Sequence, residues 1–403
     1  MDDKIFRGSN ASLMENNKGR ILEFEKSLSD WFVRKEFKGH DPYQLDERVS
    51  GILTKMPFLK YARKVLKPFH VFIPSSTFKK LPRIYHPKAL GLIIGGNSYL
   101  WKIIGNKDLL EQNKTLLQLL DQLKNKEYKY HAWGSPFEWG SKPRYPPNTP
   151  AVCLIIPIAN CLLDYHELTG EKFPLEICTH ISRHILEENG YKINDNGSIC
   201  LFYSPLDKNE VINSNSLAAA FLFRFSNIIG NRETPEIGRK ITEWVINSQN
   251  VDGSWYYSNN SNIIDNRHTG FVLESLSTVR KYWDNQKLDE AYLRGLNFYK
   301  EKLTDNGLPK WSPESTYPVD IHDVAQGILT YIAVDDIESA LSLAGFAIDK
   351  MSNGRDEFYF KYFKNGGVNK NVFIRWGQAW MYYALAKLLY KINSEEIKES
   401  ESF

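Results

Sequence analysis

The sequence predicts an all-α fold, an (α/α)6 toroid in which six helical hairpins close into a barrel with long aromatic-rich loops at one end. The first observation behind this prediction is a loop-and-helix pattern that recurs along the chain at fairly regular intervals. Each repeat has an aromatic loop broken by Gly, Asn or Pro, followed by a helix with a polar first turn. The loops are marked by Trp139, Tyr203, Trp255, Trp311 and Tyr362. A long repeat built from two helices and a loop is typical of a helical array.

The second observation is the helical spacing of apolar residues. Ile337, Leu341, Ala344 and Ile348 are four, three and four positions apart, which places them on one helix face. The same criterion predicts eleven helices from residue 88 onward, at 88–104, 107–124, 150–168, 174–189, 214–229, 235–250, 267–283, 287–303, 321–334, 337–350 and 373–392. Two further helices are predicted upstream, at 21–36 and 44–66.

The third observation is that short and long connections alternate, so all the long aromatic loops emerge at one end. Eleven helices and one from the region 44–66 make six hairpins, the number that closes into a toroid. An open solenoid of the same hairpins is the main alternative. We therefore divide the chain into an N-terminal extension with one helix (1–43), a toroid domain (44–393) and a disordered polar tail (394–403).

Composition restricts the partners. The 403 residues carry a net charge of +3, and no basic stripe is interleaved with aromatic residues, so we expect no nucleic acid partner. No run approaches the ~20 apolar residues of a membrane span, and the first residues show no signal-peptide core. The four cysteines form no CxxC pair, and three lie in or beside apolar helical patterns, which indicates free thiols in a reducing compartment. We expect a cytoplasmic protein and leave its oligomeric state open.

The most informative polar helix start is the run Asp265, Asn266, Arg267 and His268. A helix N-terminus presents free N–H groups and partial positive charge, so it suits an anionic substrate group. It also lowers the pKa of a nearby histidine and favours the neutral form that acts as a base. The structural alternative is that Asp265 caps the helix and His268 bonds a backbone carbonyl.

A similar arrangement, with Asp320, His322 and Asp323, follows one hairpin later. Because each histidine follows the aromatic mark of its own repeat at a similar distance along the chain, we expect the two to meet at the cavity mouth. Flanking acids would orient them for acid–base catalysis. The predicted catalytic residues are His268, His322, Asp265, Asp320 and Asp323. Imidazole and carboxylate groups also suit zinc, but no HxH or HExxH spacing supports a site, so we predict no metal and no cofactor.

The remaining candidates are aromatic, arginine and amide side chains in or after the long loops. Aromatic rings can stack on sugars or stabilise a carbocation, and arginine can pair with a carboxylate or phosphate. Equally, the aromatic residues could pack between loops and the arginines could brace them. The predicted substrate-binding residues are Trp139, Arg144, Tyr203, Asn213, Trp255, Tyr256, Arg267, Trp311, Tyr317, Arg375 and Trp376.

Two segments resemble known motifs. QNVDGSW at 249–255 resembles the Q-x-x-D-G-S-W turn of terpenoid cyclases and other α/α toroids, a motif that implies fold rather than activity. DIHD at 320–323 is superficially similar to the D-x-D-D acid motif of class II terpene cyclases. His322 replaces the central acid of that motif, which argues against the cation-initiating role.

A wider resemblance covers most of the chain. Its segments are HDPY at 40–43, WGSPFEW at 133–139, PNTP at 147–150, YSP at 203–205, DNRHTGF at 265–271, YPVDIH at 317–322 and RWGQAWM at 375–381. Together they resemble a poorly characterised family of bacterial and archaeal toroid proteins associated with surface-polysaccharide biosynthesis clusters. The resemblance implies an α/α toroid and leaves the reaction open. Uronate-acting toroids, namely C5-epimerases, lyases and unsaturated glucuronyl hydrolases, are the nearest chemical analogies.

The resulting hypothesis is a carbohydrate-active toroid of surface-polysaccharide or exopolysaccharide biosynthesis that performs acid–base chemistry on a uronate-type sugar as an epimerase, lyase or hydrolase. One alternative is an isoprenoid-handling enzyme, which requires a deep cavity that is apolar beyond its rim. Another is a non-catalytic glycan-binding assembly protein, which predicts a shallow aromatic groove without titratable groups in hydrogen-bond reach.

Overall fold

The structure, a computed structural model, describes residues 2–44, 78, 80–140, 144–231 and 234–401, with side chains between residues 17 and 397. Twelve helices are present in these ranges: α1 (Asp2–Arg34), α2 (Pro87–Ile104), α3 (Asp108–Leu123), α4 (Val152–Thr169), α5 (Phe173–Arg183), α6 (Ile212–Ile229), α7 (Thr234–Asn247), α8 (Asn266–Val279), α9 (Gln286–Lys302), α10 (Ile321–Ala333), α11 (Ile337–Lys350) and α12 (Trp380–Glu401). A π-helical turn at His184–Glu188 follows α5, and another at Ile374–Ala379 leads into α12.

The helices form a closed double ring. α2, α4, α6, α8, α10 and α12 each pack against the next, and α12 packs back against α2. Outside this ring, α3 covers α2, α5 covers α4, α7 covers α6, α9 covers α8 and α11 covers α10, while α1 covers α12 and also touches α11. Closure of the inner ring confirms the predicted (α/α)6 toroid and excludes the open solenoid.

The N-terminal helix has a different place from the one we predicted. Ile21, Phe24, Leu28 and Phe32 of α1 are buried in the main core, so the helix assigned to an extension is the outer member of the sixth pair. The helix predicted at 44–66 lies, apart from its first residue, outside the described residues. At the other terminus α12 is helical up to Glu401, where we expected a disordered tail from residue 394.

The inner helices are largely buried because each is surrounded by two inner neighbours and one outer helix. In α10 every residue from Ile321 to Tyr331 is buried. α4 is the one described helix long and apolar enough to cross a membrane, but 67% of that span is buried inside the ring. Three of the four cysteines are buried and all four are free thiols, as expected.

Seven short strands lie in the described parts of the long loops. β1 (Tyr191–Ile193) pairs with β2 (Ile199–Leu201), and β3 (Thr304–Asp305) pairs with β4 (Leu308–Pro309), both antiparallel. β5 (Val319–Asp320), β6 (Lys361–Tyr362) and β7 (Val368–Asn369) form a three-stranded antiparallel sheet in which β6 is central. Because the long loops run from an outer helix to the next inner helix, all six inner helices begin at the same end of the ring.

Candidate active site

A cavity of about 270 Å³ lies where the inner helices begin. Its wall receives side chains from the starts of all six inner helices and from the loops before them. Of the predicted residues, the structure brings nine to this wall: His268, His322, Asp265, Trp139, Tyr203, Asn213, Arg267, Arg375 and Trp376. The other seven, Asp320, Asp323, Arg144, Trp255, Tyr256, Trp311 and Tyr317, lie elsewhere.

Asp265 and His268 form a hydrogen-bonded pair at the start of α8. Asp265 is the N-cap, and its Oδ1 accepts the backbone N–H of His268 at 2.8 Å. Its Oδ2 lies 2.6 Å from Nδ1 of the same imidazole. A carboxylate in this position holds the proton on Nδ1 and leaves Nε2 as the basic nitrogen. The Tyr257 ring meets the imidazole edge-on at 4.7 Å and limits its rotation.

The surroundings of Asp265 strongly favour its ionised form. Burial acts to raise the pKa of this carboxyl, but the charge and hydrogen bonds of His268, together with the charge of Arg267, outweigh it. The net pKa therefore lies well below the usual aspartate range. Asp265 is ionised at neutral pH, which is the form that orients an imidazole base.

Arg267 lies between a carboxylate and an indole ring. Its Nη1 is 3.2 Å from Oδ1 of Asp323, and its guanidinium lies 4.8 Å from the centre of the Trp376 ring. Asp323 is buried behind the arginine and does not line the cavity, so its predicted role as a spare catalytic acid has no support in the geometry. Burial raises the pKa of Asp323, and Arg267 partly offsets that shift.

His322 reaches the cavity from the start of α10. Its ring stacks on Trp380 at 5.0 Å and meets Trp376 edge-on at 4.9 Å. Neither ring nitrogen has a hydrogen-bond partner among the described residues. Burial and the nearby positive charges of Arg267 and Lys88 hold its pKa well below the usual histidine value. His322 is therefore a neutral imidazole with both nitrogens available to a ligand.

Asp320 does not orient that imidazole, contrary to our prediction. Its Oδ1 accepts the backbone N–H of His322 at 2.9 Å and the indole N–H of Trp376 at 2.8 Å. Its Oδ2 lies 3.6 Å from the ammonium of Lys361. Asp320 is thus a buried cap that fixes Trp376 in the cavity wall.

Arg375 lines the cavity from the π-helical turn, yet its charge is already compensated. It donates from Nε and Nη2 to the two carboxylate oxygens of Asp41, at 2.7 and 3.0 Å. Both side chains are buried. Such a bidentate pair satisfies the guanidinium within the protein, so Arg375 is a weaker candidate for holding a substrate carboxylate than its position implies.

Five of the predicted loop residues do not line this cavity, and the reason differs from one to the next. Trp255 points into the core and donates its indole N–H to the carbonyl of Val245 at 3.0 Å, as expected of a turn motif. Its neighbour Tyr256 is 38% exposed, and the next residue, Tyr257, is the one that lines the cavity.

The other three lie away from the cavity. Trp311 is 41% exposed beneath the ammonium of Lys361. Tyr317 packs against Tyr362, with ring centres 6.2 Å apart. Arg144 pairs with Glu138.

Several cavity residues were not predicted at all. Lys88 and His86 come from the start of α2, Ser135 from the loop before α4, and Cys153 from α4 itself. Each is polar or ionisable, and a lysine inside the apolar run HPKALGLII could have been noticed as unusual for a buried helix. The cavity wall therefore includes the long basic side chains of Lys88, Arg267 and Arg375. Asp265 is the one carboxylate that the described part of the chain contributes to its wall.

No group of three or more His, Cys, Asp or Glu side chains in the described ranges is arranged to hold a metal ion. The wall presents imidazole, carboxylate, amine, guanidinium and indole groups. Such a set can bind an anion, accept a proton and donate hydrogen bonds to hydroxyl groups.

Comparison with known proteins extends the description of the fold. No family model matches the chain, and no curated protein matches it in sequence. Among solved structures, a cellobiose 2-epimerase from Bacillus thermoamylovorans superposes with a TM-score of 0.59 at 11% identity, over 77% of this chain and 88% of that one.

Two other solved structures give a similar result. A family 76 glycoside hydrolase (mannosidase) from Bacteroides thetaiotaomicron gives a TM-score of 0.58 at 11% identity, over 77% of this chain and 87% of that one. An unsaturated glucuronyl hydrolase specific for heparin gives 0.54 at 13% identity, over 77% and 88%. At such identities the likeness establishes the (α/α)6 toroid and leaves the chemistry to the residues of the site.

Proposed function

We propose that the protein is a sugar-modifying enzyme that removes a proton from a carbon next to the carboxylate of a uronate-type sugar, with His268 as the base. The observation that carries the proposal is the Asp265–His268 pair in the wall of a polar, cationic cavity. That solved epimerases and glycoside hydrolases share the fold supports a sugar as the substrate.

In the proposed reaction Nε2 of His268 takes the proton as the C5–H bond breaks, and the electron pair moves into the carboxyl group. Asp265 stabilises the imidazolium that forms. The neutral His322 donates a hydrogen bond to the charge that develops, a role in which a low pKa is an advantage. If a water molecule then protonates the opposite face while His268 passes its proton to solvent, the carbon is inverted. If the group on C4 leaves instead and takes the proton from the His268 imidazolium, a C4–C5 double bond remains.

Hydrolysis through two carboxylates has less support. Glycosidases of that type place a general acid and a second carboxylate on either side of the scissile bond. In the described residues only Asp265 offers a carboxylate to the cavity, and its lowered pKa makes it a poor proton donor. This favours proton abstraction, by an epimerase or a lyase, over hydrolysis.

The alternatives proposed from the sequence also have less support. An isoprenoid substrate requires an apolar cavity beyond the rim, whereas Lys88, His86 and Asn213 are all buried in this wall. A non-catalytic glycan-binding protein does not require an imidazole held at 2.6 Å by an ionised carboxylate. A role in surface-polysaccharide assembly rests on the sequence resemblance, and the free cysteines support a cytoplasmic location.

The test is hydrogen exchange. The protein is incubated in D2O with glucuronate-, galacturonate- and mannuronate-containing oligosaccharides, and the C5–H signal is followed by NMR. We expect loss of that signal, accompanied by a new epimer or an unsaturated product. His268→Ala should abolish the exchange. His166→Ala, which alters a histidine at the far end of α4, should leave it unchanged.

Two outcomes contradict the proposal. Undiminished exchange in His268→Ala would remove the base. If the protein exchanges the hydrogen on the carbon next to the aldehyde of a neutral disaccharide and exchanges none on any uronate, the substrate is a neutral sugar and not a uronate.

A further inference from the structure

We infer that Lys88 and His86, at the start of α2, form an anion-binding subsite that holds the substrate's carboxylate. Assignment of that carboxylate to a sugar rests on the proposed function. The subsite itself rests on side chains that none of the sequence predictions included.

Lys88 is a buried lysine that faces no carboxylate among the described side chains. Its side chain lines the cavity although the residue is only 5% exposed. The ammonium donates to the carbonyl of Cys153 at 2.9 Å and lies 5.0 Å from the centre of the Trp380 ring. Among the residues that the structure describes, Lys88 forms no ion pair with a carboxylate. A buried ammonium in this situation gains a partner when an anion enters the cavity.

His86 supplies a second donor beside it. The imidazole caps α2, because its Nδ1 accepts the backbone N–H of Lys88 at 3.2 Å. An accepting Nδ1 places the ring proton on Nε2. That Nε2 is buried and has no partner in the described ranges, and the ring lines the cavity. The hydroxyl of Ser135, which also lines the cavity, is likewise buried and unpartnered within those ranges.

The arginines of the cavity are less suited to this role. Arg267 already faces Asp323, and Arg375 already binds Asp41 through two hydrogen bonds. Lys88 has no such partner among the described side chains. We predicted from sequence that arginines would hold the carboxylate. In the structure each of those arginines already faces a carboxylate of the protein, whereas Lys88 faces none in the described part of the chain.

The position of α2 in the ring places the subsite opposite the proposed base. In the order α2, α4, α6, α8, α10, α12, the helix across the ring from α2 is α8. Lys88 and His86 therefore lie across the cavity from the Asp265–His268 pair. A uronate whose carboxylate contacts Lys88 extends its sugar ring toward His268, along a wall that includes Phe271.

The test measures binding and needs no turnover. In a His268→Ala background, glucuronate and glucose are titrated by calorimetry against otherwise unchanged protein and against Lys88→Met. We expect glucuronate to bind at least about tenfold more weakly to Lys88→Met, the loss of one charge-assisted contact, and glucose to be unaffected. Lys387→Met is the matched control, since this lysine of α12 faces Glu274 and does not line the cavity.

A second readout is proton uptake. Burial lowers the pKa of Lys88 to about 7, and a bound anion restores it, so binding at pH 8 should take up close to one proton. Calorimetry in two buffers of different ionisation enthalpy measures this number, which should fall to near zero in Lys88→Met. Other ionisable groups around the ammonium are Cys153, Cys161, Arg375, Arg267, His86 and His322. The thiols have raised pKa values, the arginines stay charged and both histidines have lowered pKa values, so none of them titrates near pH 8.

The outcomes separate this inference from the proposed function. Equal glucuronate affinity with and without Lys88, or no glucuronate binding at all, would overturn the subsite. Lys88-dependent binding in a protein that exchanges no C5 proton would support the subsite and remove the proposed reaction. Thermal unfolding of Lys88→Met confirms that its loss of binding is not a loss of fold.

Discussion

The proposed base depends on one carboxylate, so Asp265→Asn is the most direct perturbation. Asparagine is as good an N-cap as aspartate, and its Oδ1 can still accept the backbone N–H of His268, so α8 should start as before. The second oxygen is replaced by an NH2 group, which donates instead of accepting. Nδ1 of His268 must then accept, and the ring proton moves to Nε2, the nitrogen that has to take the substrate's proton.

The expected loss of activity follows from that tautomer change. A wrong tautomer at an Asp–His pair lowers turnover by roughly 10³ to 10⁴, or about 4 to 5.5 kcal/mol in the activation barrier. Stability should change far less, by about 1 to 2 kcal/mol, for one charge-assisted hydrogen bond. Because the folded-state pKa of Asp265 is lowered, this stabilisation is present at neutral pH and lost in the wild type as pH falls through that folded value.

The assay combines C5–H exchange with nitrogen NMR of the imidazole, which reports the tautomer without any substrate. Asp336→Asn is the matched control: Asp336 caps α11 by accepting the backbone N–H of Ser339 and lies away from the cavity. We expect it to keep full activity. Unchanged turnover of Asp265→Asn would refute the reasoning. If NMR also showed the Nε2–H tautomer in that active protein, the tautomer would be excluded as the cause of catalysis.

Three further predictions test other parts of the structure. Tyr257→Phe should lower kcat/KM about tenfold, the value of one lost hydrogen bond, whereas Tyr256→Phe should not, because only Tyr257 lines the cavity. Arg375→Met should cost about 3–5 kcal/mol in urea unfolding because it leaves the buried Asp41 unpaired, and adding Asp41→Leu should recover part of that loss. Burial holds the pKa of Glu25 well above the usual range, so the folded protein keeps a proton that the unfolded chain releases. The free energy of unfolding of the wild type should therefore fall between pH 5 and pH 8 relative to that of Glu25→Gln, which has no proton to release. Urea unfolding of both proteins at several pH values measures this difference.

The fold could be predicted from the sequence because each inner helix carries the same signals: an aromatic loop, a polar first turn and an apolar body. The sixth outer helix was misplaced for a physical reason. We assumed that hairpin partners are adjacent in the chain, but closure of a ring joins its two ends. α1 therefore packs on α12. The contact between α1 and α12 could not be predicted from local sequence patterns, because the two helices lie far apart in the chain.

Whether a side chain reaches the cavity could be predicted where the residue's position in the helix start decides its direction, as for Asp265 and His268. It could not be predicted where distant packing decides. Trp255 turns inward because Gly295, on α9, has no side chain; a Cβ there would lie 2.3 Å from the indole ring. Tyr257 then faces the cavity. The sequence of the loop alone cannot distinguish these directions, since the glycine that decides them lies on a later helix.

The helix starts at Asp265 and Asp320 look equivalent in sequence. Their different contacts arise because His268 is three residues after its N-cap and His322 is two residues after its own. At α8 the N-cap is followed by Arg267 at the second helical position and His268 at the third. At α10 the corresponding positions hold His322 and Asp323. A side chain at the third position can reach back to the cap, as in a capping box, so His268 meets its aspartate. His322, one position earlier, points to Trp376 and Trp380.

The same offset explains the ion pair between the two helices. The arginine at the second position of α8 meets the aspartate at the third position of α10, so Arg267 and Asp323 join across the inner ring. The position of each histidine relative to its N-cap therefore explains why His268 has a carboxylate partner and His322 has none among the described residues. The distance of each histidine from the aromatic residue of its repeat does not show this difference. Of these two helices, α8 is therefore the one that supplies an oriented base, and the proposed acid–base step should depend on His268 far more strongly than on Asp320 or Asp323.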